Sequence, residues 1–165
     1  MNPLIPLIQK EFNLRIIQES KARILSCLEL LDDHQLQWKP NPQTNSIQIL
    51  VVHLCGNLRQ YICAAIGQQN DVRDRNSEFN TEKVFSKMEL QSILNSTTED
   101  AWSVIQTISE QRLLDNYEVQ CFNLSGYEIV SHVIEHFSYH TGQIALLTKI
   151  ITQKDLGFYK DLDLN

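Results

Sequence analysis

Helix breakers are scarce in this chain, with five glycines and four prolines in 165 residues. That shortage argues against folds built from many tight turns and predicts an all-α protein. Basic residues are also in the minority, 14 against 20 acidic ones, for a net charge of −6. Most nucleic-acid affinity is electrostatic, so this balance excludes a basic face tracking phosphates and sets nucleic acid aside as a partner. No uninterrupted apolar run approaches the roughly 20 residues of a membrane helix. The start, Met1-Asn2-Pro3-Leu4-Ile5-Pro6, lacks the basic-then-apolar pattern of a secretory signal. The expectation is a cytoplasmic protein with no membrane partner. Four cysteines, Cys27, Cys55, Cys63 and Cys121, form no Cys-x2-Cys pair and no dense framework, so they read as free thiols in the core.

What is present is a soluble balance of 42% apolar and 21% charged residues over a length suited to one domain, 1–165, with a real core. From about residue 4 to 31, apolar residues including Ile5, Ile8, Phe12, Ile16, Ile24 and Leu28 recur at three and four, which predicts a long amphipathic helix. Trp38-Lys39-Pro40-Asn41-Pro42 cannot stay helical, because each Pro drives its predecessor to extended geometry, and Trp38 is expected to fold back on the bundle. Asn45 or Ser46 caps a second helix through Ile47, Leu50, Leu54, Leu58 and Ile62 to near Gly67, with His53 at its middle. Residues 68–82 are polar and read as a surface loop of the longer kind that borders sites. Ser86-Lys87-Met88-Glu89 is a capping box opening a third helix to about Glu110, and Ser125-Gly126-Tyr127-Glu128 is another opening a fourth to near Gln153. Between them, residues 117–122 alternate as a short strand or extended loop would. Four such apolar stripes bury best against one another, which predicts a four-helix bundle.

The most informative stretch lies in the fourth helix. His132, His136 and His140 follow at steps of four, on one stripe of the helix. An adjacent pair can close on one ion, and either His132 or His140 can partner His136 on spacing alone. A third ligand must come from elsewhere, and His53 is the best candidate, since sites in bundles are built across facing helices. Cys55 points away from His53 and is a poor co-ligand; His34 sits in a polar turn. Three imidazoles suit Zn, Ni, Cu or Fe and leave open positions for water or substrate. Each ring's outer nitrogen needs an acceptor, for which Gln143, Asn57 and Glu128 are candidates. Arg59, Gln60 and Asn57 can line a pocket but read more simply as a solvated face, and Trp38, Trp102, Phe137 and Tyr139 as core or pocket wall.

Ser46-Ile47-x2-Leu50-x2-His53-Leu54-x-Gly56-Asn57-Leu58-x-Gln60 and His132-x3-His136-x3-His140-x-Gly142-Gln143-Ile144 together resemble the DinB-like (DinB/YfiT) family of metalloenzymes, in particular an uncharacterised bacterial branch. Trp38-Lys39-Pro40 and Gly157-Phe158-Tyr159 fit as well, so the resemblance spans nearly the whole chain. It implies a down-up-up-down bundle, a homodimer, and a divalent metal (Zn, Ni or Fe) on His53, His136 and His140, with His132 outside the ligand set. The family often has a His and an Arg where Tyr139 and Thr141 stand here.

The resemblance further implies a metal-dependent transferase joining a low-molecular-weight thiol to a small-molecule substrate, or a hydrolase. No Glu adjoins a ligand in a His-Glu-x2-His arrangement, and Glu135 projects about 100° from His136, which weakens the hydrolase version. The alternative is a non-catalytic bundle, its metal structural or absent, that acts through dimerisation or partner binding.

Overall fold

The computed structural model describes residues 4–79, 82–160 and 163. Met1–Pro3, the first residues of the start read as lacking a signal pattern, and Asn80 and Thr81 of the expected loop lie outside the described residues. Four long helices dominate: residues 4–29, 47–66, Lys87–Gln106 and Gly126–Thr152. Short helices at Arg75–Glu78 and Glu110–Leu114 and a hairpin of Asn116–Val119 with Phe122–Ser125 fill the connections.

The first two long helices are not α-helical throughout. Leu4–Phe12 and Ala22–Glu29 flank a π-helical Asn13–Lys21, and Ile47–Leu58 runs into a π-helical Arg59–Ile66. The cause is visible in their core positions. Phe12, Ile16, Ser20, Ile24 and Leu28 are all buried, as are Leu50, Leu54, Leu58, Ile62 and Ile66, and both series advance by four. Steps of four overshoot an ideal 3.6-residue turn by about 40° each, so an unbroken α-helix would carry such a stripe off the core. Wider i→i+5 turns absorb that drift. In the fourth helix Val130, Val133, Phe137, Thr141, Ile144 and Thr148 mix threes and fours, and it stays α-helical for all 27 residues.

The packing order follows from contacts at the helix ends. Gln9, near the start of the first helix, donates to the Ile105 and Gln106 carbonyls at 3.1 and 2.9 Å, at the end of the third. The third helix therefore runs antiparallel to the first. The second and third are parallel, with Gln48 bonded to Phe85 just before the third helix and Gly67 against Val104 near its end. The fourth opposes the second, since Tyr61 meets His132 while His53 meets His136. The result is the down-up-up-down order, in which the first and second helices each pack on the third and fourth.

Both capping boxes form as expected, and Ser46 rather than Asn45 caps the second helix. Other expectations need correcting. The third helix ends at Gln106, where a break at 107–109 leads into the short Glu110–Leu114 turn capped by Ser109. Leu36, fully buried, anchors the first connection, whereas Trp38, in extended backbone just after that short turn, stays 36% exposed. The second helix is, by length and mean hydropathy of 1.4, apolar enough to cross a membrane, contrary to the reading of short apolar runs; 67% of that window is buried in the bundle. It is the core helix, apolar nearly all round because two neighbours and a connecting segment cover it. Near the end of the chain, Phe158 packs on the core, and the Arg23 guanidinium lies 5.5 and 5.2 Å from the Phe158 and Tyr159 rings.

Cys27, Cys55 and Cys63 are buried, but Cys121 is exposed at the hairpin turn, outside the core expected for it. Burial pushes the Cys55 thiol up to about 12 and Cys63 up to about 11, so neither supplies thiolate at neutral pH. Titration of the native protein with an aromatic disulfide reagent is expected to show one prompt equivalent, all four thiols reacting only after unfolding, and Cys121→Ser is expected to remove the prompt one.

Candidate metal centre

The second and fourth helices cross with His53, His136 and His140 facing one another. One nitrogen from each ring lies within 4.8 Å of the others. His53 Nε2 and His136 Nε2 are 3.2 Å apart, and the ring centroids of His136 and His140 are 4.5 Å apart. Two nitrogens about 2.05 Å from a tetrahedral ion would stand roughly 3.3 Å from each other, so the donor set fits a divalent transition metal. His132 does not join them. One turn earlier, its ring packs 4.8 Å from Tyr61 and 5.5 Å from His136, so the crossing of the second helix selects His140 where spacing left the choice open. His34 is exposed in its turn, and Cys55 is buried beyond the cluster.

The outer nitrogens decide which way each ring presents its lone pair. His53 Nδ1 donates to Glu78 Oε2 at 2.9 Å. Arg73 holds that carboxylate from the other side, Nε to Oε1 at 2.6 Å and a terminal nitrogen to Oε2 at 2.9 Å. The same terminal nitrogen lies 3.4 Å from His53 Nδ1, a contact too long to displace the carboxylate as partner of the ring proton. His140 Nδ1 donates to Gln143 Oε1 at 2.7 Å, as the candidate list anticipated. Both rings are thereby held with Nε2 as a free lone pair. Glu128, the third candidate acceptor, is corrected: its carboxylate closes the capping box with Ser125 instead.

Burial shapes the charges. Desolvation, reinforced by the facing imidazoles and Arg73, pushes His136 down to about 3, and desolvation also lowers His140 against the opposing bond to Gln143. These rings are neutral at physiological pH, the form that binds a metal. Burial alone would raise the Glu78 carboxyl, but the Arg73 and His53 bonds outweigh it and leave it below the usual carboxylate range.

Arg73 and Glu78 were not singled out in the sequence, and they sit in the 68–82 connection, which reads there as a polar surface loop bordering a site but carrying no motif. Its described residues, 68–79 and 82 onward, are tied along the second helix as a strap. Gln60 bonds Asp71 and Arg73 at one end, and Gln48 binds the Lys83 carbonyl and the Phe85 amide at the other. Phe79 lies 5.2 Å from the His53 ring. Gly56 makes the crossing possible, since a Cβ there would collide with the Glu78 carboxylate. A mid-helix glycine costs about 1 kcal/mol relative to alanine. Together with Gln48 and Gln60 on an otherwise apolar helix, it was the available signal that something polar lies across that face. Of the other residues read as surface or wall, Arg59 pairs with Asp100 at the surface, Trp102 stacks on Phe12, Phe137 is core and Tyr139 is 63% exposed.

A down-up-up-down bundle with three imidazoles converging from its second and fourth helices defines the class: the chain has the DinB-like fold. It is similar to a DinB-like protein (YjoA) of Bacillus subtilis, with a TM-score of 0.69, 17% identity, and 93% of this chain and 97% of that one covered. A conserved protein of Enterococcus faecalis gives 0.73, 16%, 90% and 97%, and a DinB-like protein of Bacillus cereus gives 0.65, 13%, 81% and 87%. More particularly, the chain belongs to the family described as protein of unknown function (DUF1572), whose model matches residues 9–160. No curated protein matches it.

The Arg73 and Glu78 side chains are 3% and 6% exposed, so removing one leaves a buried charge uncompensated. Glu78→Ala is expected to cost about 3–5 kcal/mol, read as a lower urea midpoint at unchanged slope.

Proposed function

We propose that this protein holds one divalent transition metal, Zn, Ni or Fe, on His53, His136 and His140 and is a metal-dependent enzyme acting on a small molecule. The observation that supports this reading is the convergence of three ring nitrogens within 4.8 Å, two of them with their outer N–H already engaged. A divalent ion on three neutral imidazoles keeps its full charge, and what it supplies is Lewis acidity toward an electron-rich group such as a thiolate.

The residues around the triad favour thiol transfer to an electrophile over hydrolysis. Hydrolysis calls for a free carboxylate to take a proton from water. The nearest one, Glu78, accepts from His53 and twice from Arg73, and its depressed proton affinity suits a clamp rather than a base. Glu135 is exposed on the far side of the fourth helix, lining the groove toward the first. A low-molecular-weight thiol brings its own nucleophile and needs less help, since thiols ionise near neutral pH.

Protein purified without a histidine tag is expected to carry or take up about one equivalent of metal by elemental analysis. His53→Ala and His136→Ala should each abolish uptake with little change in helical circular dichroism. The loaded wild type should form a thioether from a small thiol and an aromatic halide probe, and His136→Ala should not. Full metal uptake by His136→Ala sinks the triad. Uptake without turnover across a panel of thiols and electrophiles favours the non-catalytic bundle.

A further inference from the structure

Two of the three imidazoles have an acceptor for the outer nitrogen, and the third does not. His136 Nδ1 is buried with no hydrogen-bond partner. Once His136 Nε2 faces an ion, the ring's one proton must sit on Nδ1, and a buried N–H without an acceptor carries its full desolvation cost. The second helix holds the complementary orphan. Asn57 is 4% exposed, and its Oδ1 is a buried acceptor that receives no donor.

The helix register puts the two orphans at similar heights in the bundle. Asn57 lies one turn beyond His53 and one turn before Tyr61 on the same face of the second helix. The fourth helix runs the opposite way, so His53 meets His136 and His140 while Tyr61 meets His132. Asn57 falls between those levels along the second helix, which puts it near the height of His136 on the fourth. The strap's carboxylate is committed elsewhere, since Glu78 accepts from His53 and twice from Arg73.

We propose that Asn57 is the positioning residue for His136: its Oδ1 accepts the Nδ1–H of that ring, directly or through one ordered water, when the triad holds its ion. The inference rests on the metal-binding reading above and deepens it. It completes a set of outer partners in which a carboxylate orients His53 and side-chain amides orient His140 and His136. Such partners set metal affinity, and losing one typically weakens binding on the order of 10- to 100-fold.

The same orphan atoms predict opposite effects on affinity and on stability. Asn57→Leu keeps the branched four-heavy-atom shape but removes an unpaired buried acceptor, so the ion-free variant should melt at or above the wild-type temperature. Its Zn affinity, measured by competition with a chromophoric chelator, should fall on the order of 10- to 100-fold at unchanged one-to-one stoichiometry. Asn57→Asp, which restores an acceptor, should recover the lost affinity. In ¹⁵N spectra of the Zn form, His136 should be protonated at Nδ1, with faster exchange of that proton in Asn57→Leu. Unchanged Zn affinity in Asn57→Leu overturns the proposal, as does a lowered ion-free melting temperature with unchanged affinity, which marks a packing role. A wild type that takes up no Zn overturns the metal reading and this inference together.

Discussion

The Glu78 carboxylate, held between the Arg73 guanidinium and the His53 ring, is the interaction on which the site depends. A neutral imidazole has one proton and one lone pair, and the partner of the first aims the second. By accepting the Nδ1–H hydrogen bond, Glu78 turns His53 Nε2 toward the fourth helix. A lone buried carboxylate would be costly, and the Arg73 fork offsets that cost with charge-assisted bonds in fixed geometry. The pair is carried by a connecting segment rather than by the bundle, so the strap between the second and third helices belongs to the centre as much as the helices do. Gly56 is the notch that admits it.

The helices meet this demand from the other side. His53 can reach His136 and His140 only if the second helix presents it toward the fourth while still burying Leu50, Leu54, Leu58, Ile62 and Ile66. A stripe advancing by four keeps to one line only with wider turns, and the π-helical Arg59–Ile66 begins one turn and a half beyond His53. The α-helical geometry is thus kept at the histidine and relaxed after it. The fourth helix needs no such adjustment and presents His136 and His140 one turn apart on a regular scaffold.

Local rules accounted for most of the fold. Both Ser-x2-Glu boxes formed, the four amphipathic stretches became the four long helices, and the alternation at 117–122 became a hairpin, because each depends on neighbours within one or two turns. Errors fell where a distant contact overrode a local signal. Trp38 stays at the surface because Leu36 fills the core beneath that connection. Cys121 stands at a two-residue hairpin turn, where neither strand can cover it. The strap was read as surface because its Arg and Glu are ordinary surface residues until each is seen to neutralise the other.

By itself, the sequence determined that the chain is helical, where its helices begin, that His136 and His140 share one stripe, and that His53 sits mid-helix with room for a partner. Those are consequences of periodicity and capping, which act over a few residues. Spacing left His132 and His140 as equal partners for His136; the family resemblance implied His140, and the tertiary structure alone brought it to His53, made Glu78 and Arg73 the groups that orient the cluster, and left Glu128 no part in it. Hydrogen-bond partners of a buried ring are chosen by which helices cross and which segment lies over them, and separations of 25 and 83 residues along the chain leave no local trace of that choice.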